Sequence, residues 1–171
     1  MNNQRILRNI FITIGAVFAL PQLLAAATFI TFDPPGSTST SPVAITATGA
    51  IIGSYKDASS VTHGFLRKPN GNFTIIDVPG SAVTTPTDVT AAGVITGWYC
   101  DTADCVNQGN PKGFVRAADG TFTTFSAPVG DYILRLGLVN NGPPPSINPA
   151  GAIVGTYSGR SIQPHGFLRT P

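Results

Sequence analysis

The sequence predicts an all-β fold of three four-stranded meander repeats. Three observations predict it: a set of sequence blocks that recurs three times, hairpin-type dipeptides between the blocks, and a composition poor in helix formers. The 171 residues contain no Glu, while Gly, Pro, Ser, Thr and β-branched residues abound. That balance favours strands and turns over helices.

The N-terminus reads as targeting rather than fold. Arg5 and Arg8 give a positive start, the stretch 10–20 is nearly all apolar, and Ala25, Ala26 and Ala27 supply small residues. This is the three-part pattern of a secretory signal peptide, with cleavage expected after Ala27. Residues 1–27 are therefore assigned as leader and residues 28–171 as a single all-β repeat domain. Without the leader, eight Lys and Arg balance eight Asp. A neutral chain without a basic patch argues against a nucleic-acid partner. The same absence argues against binding to an anionic membrane once the leader is removed.

The repeat copies span about 29–72, 73–121 and 122–171. The first block is a strand and turn, Phe29-Ile30-Thr31-Phe32-Asp33-Pro34-Pro35-Gly36. It returns as Phe73-Thr74-Ile75-Ile76-Asp77-Val78-Pro79-Gly80 and, with Ser126 replacing the Asp, from Phe122 to Pro128. The second block runs Gly49-Ala50-Ile51-Ile52-Gly53-Ser54-Tyr55. Its copies keep both glycines and the tyrosine, at Gly93, Gly97 and Tyr99 and at Gly151, Gly155 and Tyr157. The third block is His63-Gly64-Phe65-Leu66-Arg67, repeated as Lys112-Gly113-Phe114-Val115-Arg116 and His165-Gly166-Phe167-Leu168-Arg169. Such internal periodicity is the signature of a repeat architecture.

Each unit resolves into four strands, near 43–47, 50–55, 63–68 and 73–77 in the first copy. Asn70-Gly71 and Asp119-Gly120 are hairpin signals because both positions of a type I′ turn need positive φ. A two-residue turn would pair Arg67 with Thr74 and Phe65 with Ile76, and likewise Arg116 with Thr123 and Phe114 with Phe125. Gly49, Gly93 and Gly151 close the turn between the first and second strands. Gly53, Gly97 and Gly155 fall inside a strand, which predicts a bulge or a close backbone approach.

Four-stranded sheets arranged radially are the blades of a β-propeller. Residues 29–33 supply a fourth-strand pattern and 165–169 a third-strand pattern, so the N-terminal strand is expected to close onto the C-terminal repeat. The alternatives are a closed threefold β-prism or trefoil-like domain, or an open partial propeller that needs a partner or self-association.

Taken together, the blocks His-Gly-Phe-Leu-Arg, Phe-Thr-x-Ile-Asp-x-Pro-Gly and Gly-x-Ile-x-Gly-x-Tyr resemble the bacterial extracellular repeat family called HAF. The resemblance covers residues 29–169 and departs from the pattern at Lys112 and Ser126. It implies export and a propeller-like architecture. It implies no particular activity.

Few residues stand out from the repeat. Cys100 and Cys105 are the only cysteines, and in an exported chain they are expected to form a disulfide. Twelve residues separate Tyr99 from Lys112, where seven separate Tyr55 from His63 and Tyr157 from His165. The bridge would therefore staple an enlarged loop. His63 and His165 occupy equivalent positions, with Lys112 at the third, which reads as structural rather than catalytic. Asp33 and Asp77 read as turn caps.

Tyr55, Tyr99 and Tyr157, with Trp98 beside one and Asp57 and Asp101 following two, border the most variable loops. They are the candidate ligand-binding residues, although a repeated Tyr also packs between sheets with its hydroxyl at the rim. The step from Ser126 to Ile147 is 21 residues, where the two earlier copies step 12. The apolar insertion around Tyr132 is expected to be a lid, an extra strand, a partner-facing patch or an element packed over the sheet.

No phosphate loop, zinc-spaced ligand set or nucleophile elbow is present. No catalytic residue, cofactor or metal is assigned. The sequence thus predicts a secreted, periplasmic or cell-surface module with a non-catalytic binding or structural role. Its expected partner is an extracellular glycan, a protein ligand or a second copy. A glycan-active hydrolase or lyase using loop Asp residues, and a truncated propeller relative without independent function, are the competing readings.

Overall fold

The computed structural model describes residues 27–105, 111–126, 143–158 and 164–171, with backbone alone at 132–133. The expected leader lies outside the described residues except for Ala27. Residues 27–31 belong to a first unit, Met1–Thr31, and carry no strand. The repeats lie in a second unit, Phe32–Pro171.

The described residues are all-β. The first repeat contributes β1 (Ser39–Ile45), β2 (Ile51–Lys56), β3 (Thr62–Arg67) and β4 (Phe73–Ile76), paired antiparallel in chain order. The second repeats the meander with β5 (Val83–Val89), β6 (Ile95–Cys100), β7 (Lys112–Arg116) and β8 (Phe122–Phe125). One parallel pairing, Thr62 with Val83, joins the two into an eight-stranded sheet.

The third repeat forms a separate four-stranded sheet. Its strands are β9 (Tyr132–Ile133), β10 (Ser146–Ile147), β11 (Ile153–Ser158) and β12 (Pro164–Arg169). Both β9 and β10 pair with β11. Tyr132 faces Ser158 as Ser39 faces Lys56, so β9 replaces the outer half of the first strand and β10 the inner half. Tyr132 and Ile133 of the insertion thus restore a strand, and residues 134–142 lie outside the described residues.

The glycines behave as the spacing predicts. Gly49, Gly93 and Gly151 sit at φ of 85°, 81° and 86°, where a side chain is strained. Gly53 and Gly97 lie under phenylalanine rings: a Cβ would meet Phe65 Cε1 at 2.8 Å and Phe114 Cε1 at 2.7 Å. Each faces a bulge in the neighbouring strand, at 42–44 and 86–88.

The hairpin register differs from expectation by one residue. Arg67 pairs with Phe73 and Gly64 with Ile76, and Arg116 pairs with Phe122 and Gly113 with Phe125. The turns hold an extra residue. Gly71 N–H donates to the Lys68 carbonyl and Lys68 N–H to the Asn72 carbonyl, with Gly71 at φ 90°. This is a type I turn ending in a left-handed glycine and bulge, and Pro69 at its second position suits it. A one-residue slip exchanges faces. Phe65 therefore shares a face with Phe73, whereas Leu66 shares the opposite face with Ile76.

Those two faces interlock successive repeats. On the trailing face of the first repeat, Ile52 and Ile76 are fully buried, and Leu66 and Ala44 pack beside them. They meet Val89, Ile95, Tyr99, Phe114 and Phe122 on the leading face of the second. The joint recurs. Phe32 stands at the position of Ile76 and packs on Phe65, with ring centroids 6.3 Å apart and Arg67 above it at 5.1 Å. Phe125 packs on Phe167 at 6.2 Å, with Arg169 at 5.2 Å. Asp88 Oδ2 ties the second repeat to the third by accepting from Ser146 Oγ (2.6 Å) and Ile147 N–H (2.9 Å).

The expected strand at Phe29–Asp33 is absent, and Phe32 packs on the first repeat instead. Backbone groups join a ladder only where a strand edge offers partners. Among the described residues β12 pairs on one side alone, with β11. β1 packs on β5 and β5 on β10, with no comparable contact from β10 back to β1.

Candidate functional site

The tyrosine one residue from the end of each second strand pairs with a residue at or next to the start of each third strand. Tyr55 pairs with His63, Tyr99 with Lys112 and Tyr157 with His165. Tyr55 is 6% exposed and its ring stacks on His63 at 5.1 Å. Tyr99 is 7% exposed, and the Lys112 ammonium stands 5.8 Å from its ring centre. Tyr157 is half-buried and lies 5.4 Å from the His165 ring. Each tyrosine thus has a cation or imidazole over its ring, which is the packing arrangement.

The best-organised polar cluster surrounds His63. Its Nδ1 lies 2.8 Å from Asp77 Oδ2 and its Nε2 lies 3.5 Å from Asp57 Oδ2. Burial opposes charging of the imidazole, but the hydrogen bond and charge of Asp77, then those of Asp57, outweigh it and raise the His63 pKa. Each ring nitrogen faces a carboxylate, which favours the charged form of the imidazole.

Asp57 is fixed by its own loop. Its Oδ1 accepts the amides of Ser59 and Val61, each at 2.8 Å, with Ser60 at φ 63°. The Val61 hydrogen bond contributes most to holding the Asp57 carboxyl below its usual range, ahead of Ser59 and His63. Burial raises the Tyr55 pKa, and the Asp77 and Asp57 carboxylates add to it.

The second repeat rebuilds this clamp with different chemistry. Lys112 Nζ donates to Asp101 Oδ2 at 2.6 Å, and that bond holds the ammonium above its usual pKa. Asp101 follows Tyr99 as Asp57 follows Tyr55. The common feature is a basic side chain held between a tyrosine ring and a loop carboxylate. His63 and Asp77 read as separate structural residues in sequence, because their partners lie 6 and 14 positions away. The signal that could have united them is that the third strand begins where the fourth ends.

The predicted residues of the first two repeats share one rim, and Tyr157 belongs to the separate sheet of the third repeat. Thr62 pairs with Val83, and Ala82 N–H donates to the Cys100 carbonyl at 2.8 Å. The Asp57 loop and the loop after Cys100 therefore open on the same side. Trp98 is half-buried one residue inside that rim. Cys100 and Cys105 form the expected disulfide, with Cα atoms 5.8 Å apart and both residues buried. Asp33 accepts from Thr40 Oγ1 at 2.6 Å, a side-chain bond rather than a bond to a turn amide. Asp77 also departs from the expected turn-cap role, by holding His63.

Among the described residues no group of three or more His, Cys or Asp could hold a metal, and no helix is long and apolar enough to cross a membrane. Comparisons with family models, curated proteins and solved structures find no match to this chain.

Proposed function

We propose that the chain is an exported, non-catalytic repeat module with a binding or structural role at the bacterial cell exterior, built as propeller-like blades. The observation that carries this reading is the clamp described above. His63 and Lys112 occupy one repeat position and engage equivalent carboxylates, Asp57 and Asp101. A lysine whose ordinary pKa is 10.5 cannot replace a histidine as a proton carrier near neutrality, but it can replace it as a fixed cation. What the two repeats share at this position is pairing with a loop carboxylate, which needs no proton exchange.

The leader pattern, the disulfide and the resemblance to HAF repeats support export. The shared rim of Asp57, Trp98, Cys100 and Asp101 is the surface proposed to meet an extracellular glycan or protein. The experiment is a screen of the purified chain on polysaccharides, scored for both retention and product. Retention without turnover, weakened by Trp98→Ala, is expected. Turnover that Asp57→Asn or Asp101→Asn abolishes would replace this reading with a glycan-active enzyme.

A further inference from the structure

We infer that a second copy of this chain docks head to tail on the outer edge of β12, contributing residues 29–32 as the missing fourth strand of the third repeat. The outer edges of β3 and β7 are each covered by a fourth strand, and the glycine beneath it shows how closely. A Cβ on Gly64 would meet the Ile76 carbonyl at 2.5 Å, and one on Gly113 would run into the Phe125 ring. At the equivalent Gly166 no described residue stands within 4 Å. Exposed strand edges of this kind are templates for strand addition.

The chain also presents both halves of its own repeat-to-repeat joint. Val154 (53% exposed) and Leu168 (67%) occupy the positions of Ile52 and Leu66, which cover the second repeat. At the other end, Val43 and Ile45 are 48% and 67% exposed. They line an apolar groove of about 300 Å³ with Phe32, Pro42, Ala44 and Ile51. Ile45 and Ile51 correspond to Val89 and Ile95, which receive the first repeat inside the chain.

Residues Phe29 and Ile30 are 93% and 74% exposed. In the β3–β4 register, Phe29 of the second copy would face Arg169, Ile30 would face Leu168, and Phe32 would lie over Gly166. Phe32 could keep its place on its own Phe65, as Ile76 pairs with β3 while packing beside Phe114. The same docking brings the second copy's Asp33 to His165, as Asp77 meets His63.

A second copy fits better than closure within one chain. Two copies joined at both ends give six such units, within the usual four to eight blades. The contact is heterologous, and it closes into a ring when the rotation permits. The joint rests on the repeat geometry alone, and only closure at six rests on the propeller-like reading.

The test is the solution mass of the full chain by light scattering, compared with Gly166→Val and Leu168→Asp. Both substitutions fall on open surface of the single chain, so each should keep the wild-type circular dichroism and thermal melt of its folded units. The wild type is expected at twice the mass of one chain and both variants at one. A monomeric wild type, or an assembly unaffected by Gly166→Val, overturns the inference. Longer assemblies lost in both variants would keep the joint and overturn closure at two.

Discussion

Replacing Phe114 by Ala removes the ring that joins the first two repeats. Phe114 is fully buried, lies 5.8 Å from the Phe122 ring and rests on the bare backbone of Gly97. Its neighbours Ile52, Ile76, Ile95 and Tyr99 come from both repeats and cannot collapse into the void without separating paired strands. Truncating a buried Phe costs about 3–5 kcal/mol. For a domain of this size that lowers the melting temperature by roughly 6–20 °C, at about 2–4 °C per kcal/mol. Urea titration followed by circular dichroism reads the loss, and Trp98 fluorescence reports the second repeat separately. The two probes should shift together, because the ring belongs to both units. A loss below about 1 kcal/mol, smaller than any fully buried ring should give, would refute the interlocking of repeats. So would a transition confined to one probe.

Three further outcomes follow from the same geometry. The His63 pKa is raised above its ordinary 6.5, so the stability from its ion pairs is full below the unfolded pKa and fades as pH rises through the folded one. His63→Lys should hold that stability to higher pH, as Lys112 does in its own repeat; an NMR titration placing His63 at or below its ordinary pKa would contradict this. Gly97→Ala should destabilise by about 1–3 kcal/mol through overpacking, since its Cβ would meet Phe114 at 2.7 Å, whereas Gly166→Ala should leave the melt of the single chain unchanged. Converting both Cys100 and Cys105 to Ser should cost about 2 kcal/mol, the loop entropy of so short a bridge, and denaturant midpoints measure it.

The all-β class and the strand positions of the first two repeats are legible because each is local. Gly49, Gly93 and Gly151 mark turns by their spacing, and the Cys loop announces itself as an insertion. Hairpin register is not legible in the sequence, because Asn70-Gly71 and Asp119-Gly120 look like two-residue turns. Pro69 fits the second position of a type I turn, and the bulge it brings moves every cross-strand pair by one. The pattern at 29–33 reads as a strand, yet among the described residues it pairs with no other strand, because pairing is a tertiary event that local pattern does not fix. The His63 cluster escaped notice because its three members come from a loop and the ends of two strands, a combination only the folded meander assembles.

The central claim is that one joint recurs along the chain, with the fourth residue of each first block seated on the phenylalanine of the next third block. A nuclear Overhauser spectrum of the full chain, with Phe rings and Ile methyls labelled, tests it most directly. Contacts from Phe32 to Phe65, from Ile76 to Phe114 and from Phe125 to Phe167 are predicted together. Absence of the Ile76–Phe114 contact, or a Phe32 ring that meets Phe167 in place of Phe65, would contradict the account.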